Sequence, residues 1–281
     1  SRIFGYAGKP PKGNLNTGVE IRNDSNLRFI SDPGFDGPAV FLFGKAFSGN
    51  DKNTAVKIKD SQLSSPFADL KVVGKGAKQS DGRLNQGVRL IDTSVAVGDS
   101  DHTEQHDFFL TGHGGRGNRS NSGVYVKGKS QTQRFDVTGS IFVKGKIRED
   151  EWRKHPSVFI NNVRLSAGED LNLIADRSVK LRSTGLDAGN NLFMKAYSIE
   201  LQDTSIQAGD QISIQAEQLS VDLSQIIDAA YQSDDQQSDQ SVSVDDAVPS
   251  KSSQLSQNLT LQQIEQQILM REQTAISRLS R

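Results

Sequence analysis

Apolar and polar residues alternate in short runs along most of the chain, and one such design recurs between residues 163 and 222. An Ala-Gly pair ends at Gly168, Gly189 and Gly209, at steps of 21 and 20 residues, and a short alternating run follows each pair. A period of this length indicates stacked copies of one small structural unit.

A looser version of the repeat covers the first half of the chain. Each repeat starts with a small residue followed by alternating apolar residues, and we call this pattern a start mark. The start marks recur at intervals of 37, 32, 36 and 34 residues, each after a polar turn such as Asn53-Thr54. These start marks begin at Gly18, Ala55, Gly87, Gly123 and Ser157. The spacing predicts that they occupy equivalent positions in successive repeats.

The composition of the runs predicts the secondary-structure class. Runs of three to five residues rich in Val, Ile, Phe and Leu are separated by Gly, Asn, Asp and Ser. No apolar period of about 3.6 residues persists before residue 224. We therefore predict that the body of the chain is all-β.

Stacking explains why such short strands should repeat. A single rung of three strands cannot bury its inward face, but rungs stacked about 4.8 Å apart pair each strand with its equivalents above and below. We predict a parallel β-helix, a solenoid, over residues 17–222. Its best-defined inward positions are Val163, Leu165, Leu171, Leu173, Val179, Leu181, Leu186, Leu192, Met194, Ile199, Leu201, Ile206, Ile212, Ile214, Leu219 and Val221.

The Ala-Gly pairs are expected at a tight corner of each rung, where a Cβ atom would crowd the next rung. An antiparallel β-sandwich, with turns about every 8 to 12 residues, is the alternative, although it gives no reason for the same residues at the same corner. The longer early repeats predict surface-loop excursions at residues 33–38 and 112–121.

Outside the repeats the sequence predicts four segments: a lead-in loop or the end of a preceding unit at residues 1–16, a candidate cap at 223–231, a disordered linker at 232–253 and a short C-terminal α-helix at 254–281. Thr260 and Gln263 form a capping box. The helix is expected to dock on its own domain, or to self-associate or bind a partner. The chain begins at Ser1, which suggests a processed product or an internal fragment.

Composition narrows the function classes. The formal net charge is −1 and the sequence shows no basic stripe, so we expect no nucleic-acid partner. Cysteine is absent, which excludes disulfides and Cys-based metal sites. No apolar run is long enough for a transmembrane helix, and the first 20 residues lack the order of a signal peptide.

Most of the histidines fall in one stretch, between Asp99 and Asn121, which forms the candidate ligand-contact loop. Its candidate residues are Asp101, His102, His106, His113, Arg116 and Arg119. The histidine spacing lacks the His-Glu-x-x-His order of a zinc protease, so we predict structural or solvated histidines and no metal site. The Gly-rich run around Gly114 has no following helix to bind phosphate and is interpreted as a turn. No cofactor is predicted.

Enzymes with a β-helical fold cleave polysaccharides with paired acids. The candidate acids in this chain are Asp92, Asp99, Asp101, Asp136, Glu149, Asp150 and Glu151, but the sequence does not fix the separations that carboxylate chemistry requires. Trp152 is either a packed loop anchor or a sugar platform. No catalytic residue is predicted, and we expect that the protein is not an enzyme.

The repeats resemble those of filamentous-haemagglutinin-type exoproteins, the adhesins of bacterial two-partner secretion. The run from Leu165 to Leu173 and the run from Leu186 to Leu192 are similar to that family's Ser-Ala-Gly-x-Asp-Leu-x-Leu style of rung, and the starts at Gly18, Gly87 and Gly123 resemble its other repeat class. The resemblance covers residues 17–222. It implies a right-handed β-helix in a secreted or surface-displayed adhesin, and it transfers no functional residue.

The leading expectation is therefore a bacterial adhesin or fibre segment, secreted or at the cell surface, that binds a glycan or protein receptor on a host or neighbouring cell and contributes to virulence. A phage-tail or secretion-system spike is the first alternative, and a β-helical polysaccharide-cleaving enzyme is the second.

Overall fold

A computed structural model of the chain describes residues 2–7, 16–29, 40–46, 52–77, 84–101, 104–115, 121–129, 133–147 and 155–222. The chain divides into two compact units, Ser1–Ala230 and Tyr231–Arg281, and all of the described residues belong to the first. The predicted cap, linker, C-terminal helix and excursion at residues 33–38 lie outside the described residues.

The described residues are all-β, as predicted, and contain no helix. Nor do they contain any helix with the length and apolar character needed to cross a membrane. The strands are β1 (Arg2–Tyr6), β2 (Thr17–Ile21), β3 (Ser25–Arg28), β4 (Val40–Lys45), β5 (Thr54–Ser65), β6 (Leu70–Lys75), β7 (Val88–Val97), β8 (Phe108–His113), β9 (Val124–Lys127), β10 (Arg134–Val137), β11 (Ile141–Lys146), β12 (Val158–Asn161), β13 (Arg164–Ala167), β14 (Leu171–Ala175), β15 (Ser178–Arg182), β16 (Gly185–Ala188), β17 (Asn191–Lys195), β18 (Ser198–Gln202), β19 (Ser205–Ala208), β20 (Gln211–Gln215) and β21 (Gln218–Asp222).

These strands form two curled parallel sheets. Sheet A has eight strands in the order β1-β4-β6-β8-β11-β14-β17-β20. Sheet B has thirteen strands and two arms, with β2, β9, β12, β15, β18 and β21 in the first arm, β3, β10, β13, β16 and β19 in the second, and the long strands β5 and β7 in both. Parallel pairing throughout excludes the antiparallel sandwich for the described residues.

The chain visits sheet A, the first arm and the second arm in a fixed cycle. We call one sheet A strand and the sheet B strands that follow it a rung. Equivalent residues of successive rungs pair in register, for example Val143 with both Leu110 and Leu173. All three are at most 2 % exposed, so the apolar core runs continuously from rung to rung.

The start marks predicted from the sequence occupy one position of the first arm. Val56 pairs with Val19 and Val88, and Val124 pairs with Val88 and Val158. All five valines are buried, because the branched side chain at this position points into the core. The irregular intervals between the marks therefore come from the connecting segments and leave the register unchanged.

The Ala-Gly pairs occupy the predicted corner. The amide of Gly189 donates to the carbonyl of Ala167 (2.9 Å), and the amide of Gly209 donates to the carbonyl of Ala188 (3.0 Å). A Cβ atom on Gly189 would overlap the carbonyl oxygen of Gly168. The prediction that a side chain would crowd the neighbouring rung is confirmed.

The predicted inward positions are buried as far as Ile206. Beyond it, Ile212, Ile214 and Val221 are partly buried, and Leu219 is 53 % exposed. The cause is position, because β20 and β21 are the last described strands of their sheets and pair on one side only.

Two boundaries differ from the prediction. Strand β1 pairs with β4, so Arg2–Tyr6 belong to sheet A. Gly112 and His113 lie in β8, so the start of an excursion at residue 112 is wrong. Gly112 pairs with Gly74 and Gly145, and this strand position requires glycine because a Cβ atom there would overlap the backbone of Gly123, where sheet A approaches sheet B.

Candidate functional site

The six residues of the predicted ligand-contact loop are divided by a strand. His106 precedes β8, His113 ends it, and Asp101 lies in the connection that enters it, whereas His102, Arg116 and Arg119 lie outside the described residues. A strand rises about 3.3 Å per residue, so His106 and His113 are far apart along the sheet. They do not form one site.

His106 lies between two carboxylates, those of Asp69 and Glu104. Its Nδ1 atom is 3.9 Å from Asp69 Oδ1, and its Nε2 atom is 4.0 Å from Glu104 Oε2. Asp69 Oδ1 also accepts the backbone amide of Asp107 at 2.8 Å, and Asp107 Oδ1 accepts that of Ser140 at 2.8 Å. These carboxylates join successive rungs, and no group of three or more acids or histidines suited to a metal ion occurs in the described ranges.

The candidate acids for polysaccharide cleavage are also dispersed. Asp92 lies in the bend of β7, Asp136 in β10, and Asp99 and Asp101 in the connection before β8, where Asp99 accepts the amide of Asp101 at 3.1 Å. Glu149, Asp150, Glu151 and Trp152 lie outside the described residues.

A groove that the sequence did not single out lies where the two arms of sheet B meet. Asp24, Asp60 and Asp92 occupy the bend with φ of 54°, 48° and 48°, a left-handed conformation that Asp adopts more readily than most residues. They precede Ser25, Ser61 and Thr93, which pair from rung to rung. The aspartates therefore line up along the stacking direction.

The groove encloses about 480 Å³ and has a mostly polar lining. Its lining residues are Asp24, Ser25, Asn26, Asp60, Ser61, Gln62, Asp92, Ser94 and Gln133. This volume is within the range of small-ligand sites, about 300 to 1,000 Å³. The lining offers carboxylate, amide and hydroxyl groups, which suit a ligand with many hydroxyl groups.

Lys129 joins two of the carboxylates at the groove. Its Nζ atom is 3.0 Å from Asp60 Oδ1 and 3.3 Å from Asp92 Oδ2, and Lys59 Nζ is 2.8 Å from Asp60 Oδ2. Hydrogen bonds from Lys59 and Lys129 lower the pKa of Asp60, and hydrogen bonds to Asp60 and Asp92 raise the pKa of Lys129. Asp60 is therefore ionised at neutral pH and accepts hydrogen bonds only.

Asp92 retains an unused acceptor. Its Oδ1 atom is buried and has no hydrogen-bond partner in the part of the chain that the structure describes. A buried carboxylate oxygen without a donor is costly to the folded state. The site thus combines fixed acceptors with the cations Lys59 and Lys129.

Asp60 does not suit the proton-donor role in acid–base hydrolysis. Glycosidases need one carboxyl group that stays protonated to donate to the leaving oxygen, which requires a raised pKa. The pKa of Asp60 is shifted the other way. The groove can bind and orient hydroxyl groups, but Asp60 cannot act as the general acid.

Sequence reasoning missed Asp24, Asp60 and Lys129, although a signal was present. Each aspartate follows a start mark by a few residues, so the three aspartates recur with nearly the period of the marks.

Comparison of the chain with protein-family models, with curated proteins and with solved structures finds no match.

Proposed function

We propose that residues 2–222 form a parallel β-helix that acts as a non-catalytic attachment segment, secreted or at a bacterial cell surface, and that the groove of sheet B binds a glycan. The fixed cycle of sheet A, first arm and second arm supports the β-helix, because a chain that returns to the same parallel sheets must wind. Most parallel crossovers are right-handed, which agrees with the handedness implied by the resemblance to exoprotein repeats.

The observation that carries the binding function is the row of Asp24, Asp60 and Asp92 in an open polar groove. A glycan can lie along the stacking direction and donate its hydroxyl groups to successive carboxylates. Attachment to a host or neighbouring cell follows from this recognition, and residues 254–281, for which the sequence predicts a helix, are a candidate for self-association or partner binding.

The test uses the purified full chain on an array of neutral glycans, followed by calorimetry on any glycan that binds. The double variant Asp60→Asn/Asp92→Asn keeps residues that tolerate the left-handed bend but removes the charge and half of the acceptors. We expect affinity to fall about tenfold or more, since hydrogen bonds to charged groups contribute about 1.5 to 3 kcal/mol.

Asp203→Asn is the matched control. Asp203 has the same left-handed conformation (φ 48°) at the corresponding bend near the end of sheet B, away from the groove. We expect unchanged affinity. Equal losses in both variants, or no binding of any glycan by the natural chain, would contradict the proposal.

A further inference from the structure

A line of basic side chains follows the edge of sheet A where its strands end. Lys45, Lys75, His113 and Lys146 are the last residues of β4, β6, β8 and β11, and each pairs in register with the next. Neighbouring strands are about 4.8 Å apart, so the four side chains form a row along the stacking direction. We call them the basic row.

Like charges on neighbouring strands destabilise a sheet. Elsewhere the outward faces place opposite charges in register, as in the ion pairs of Lys57 with Glu20, 2.8 Å apart, and of Lys180 with Glu200. In the basic row, Lys75 and Lys146 have no ion pair in the described ranges, and Lys75 Nζ lies 5.7 Å from the centre of the Phe43 ring. An acid adjoins one end of the row, because Ala175 pairs with Gly145 and Asp176 therefore lies next to Lys146, where its carboxylate accepts the amide of Ile147 at 3.1 Å. Lys75, inside the row, has no acidic partner among the described residues.

His113 occupies the middle of the row. Its half-burial lowers its pKa, and Lys146, Lys75 and Lys144 lower it further, whereas Asp176 opposes them. His113 is therefore neutral at pH 7 and gains charge only on acidification. An anion bound across the row would favour protonation, because it would offset the neighbouring lysines.

We propose that the basic row binds a linear polysaccharide with one carboxylate per sugar, laid along the stacking direction of sheet A. The carboxylates of such a polymer recur at about the length of one sugar ring, which is comparable with the strand spacing of about 4.8 Å. Lysine presents a compact, mobile charge that suits a row of single carboxylates.

The neighbouring outward column favours this polymer over nucleic acid. Beside Lys75, His113 and Lys146 it carries Val73, Thr111 and Lys144, and the aromatic Phe43 and Tyr6 adjoin Lys45 at one end of the row. Binding sites for single-stranded nucleic acid combine a basic groove with aromatic side chains on which bases stack, and Val73, Thr111 and Lys144 provide no such platform. The row lies on sheet A, so the proposal does not depend on the sheet B groove.

The test measures binding of the full chain to oligogalacturonate of defined length by calorimetry at low and high salt. The variant Lys75→Gln/Lys146→Gln should bind about tenfold more weakly, because two surface charge contacts are lost. Arg28→Gln/Lys127→Gln removes two exposed charges of sheet B and should bind like the natural chain. Asp60→Asn/Asp92→Asn should also bind normally, which separates this site from the groove.

A pH series adds a readout that general charge loss would not move. As the pH falls below about 6.5, the natural chain should bind oligogalacturonate more tightly because His113 gains its proton, and His113→Gln should bind with a flatter pH profile. The proposal is overturned if the control pair loses as much affinity as the lysine pair, or if no binding occurs at low salt. Preference for a sulfated glycan or for single-stranded DNA of equal charge would also overturn it.

Discussion

At the scale of single residues, the glycines of sheet A show how close the two sheets lie. Gly44, Gly74, Gly112 and Gly145 occupy one position of successive strands. A Cβ atom at each would overlap the carbonyl oxygen of the small residue at the following start mark of sheet B. The position therefore requires the absence of a side chain, which also explains the small residues at the marks.

Replacement of one of these glycines tests the close approach. Gly74→Ala should lower the free energy of unfolding by about 3 kcal/mol, because backbone atoms rather than a flexible side chain must move. Gly185→Ala is the control, since its nearest neighbour would be Arg164 Cγ at 3.3 Å. We expect this change to stay within about 0.5 kcal/mol, measured by urea unfolding. Equal losses would mean that the sheets can separate at little cost.

At the scale of elements, buried amides join the connections that lead from sheet A to sheet B. Asn16 Nδ2 donates to Asn53 Oδ1 at 2.9 Å, and Asn53 Nδ2 donates to Asn85 Oδ1 at 2.8 Å. The backbone amide of Asn85 in turn donates to Asn121 Oδ1 at 2.9 Å. These residues are the polar turns that precede the start marks, so each turn is held by the turn of the next rung.

Removal of one amide should therefore affect two rungs. Asn85→Ala leaves the side-chain amide of Asn53 buried without its acceptor, and we expect a loss of about 3 kcal/mol in the free energy of unfolding. Asn161→Ala, on the outward side of β12, should change it by less than about 0.5 kcal/mol. Thermal and urea unfolding of both variants give the comparison. An Asn85→Ala variant with an unchanged free energy of unfolding would show that water replaces the lost hydrogen bonds.

Much of this element-level structure was predictable, because it follows from local pattern. Strand-like runs such as residues 70–73 and 141–143, the marks and the Ala-Gly corners all follow from alternation and from residue size. The sequence did not predict that Gly112 and His113 lie in a strand. A glycine in a turn and a glycine where two sheets approach closely look the same in a sequence. Only the pairing with Gly74 and Gly145 distinguishes the two.

At the scale of the whole molecule, the described rungs enclose their core within one chain. Leu110 and Leu173 are fully buried by residues of the same chain. A trimeric spike, the alternative suggested by the sequence, depends on other chains for assembly. We therefore expect light scattering of the purified protein to give the mass of one chain at micromolar concentration, and a stable trimer would favour the spike.

The sequence by itself determined the all-β class, the equivalence of the repeats and the inward residues, because burial on a stacked strand imposes alternation and a fixed corner. Only the tertiary structure decided which polar residues meet. Successive members of the set Asp24, Asp60 and Asp92, and of the set Lys45, Lys75, His113 and Lys146, are 30 to 38 residues apart in the chain, and register alone aligns them. The physical reason is that connections of unequal length separate strands that hydrogen bonding then holds in step.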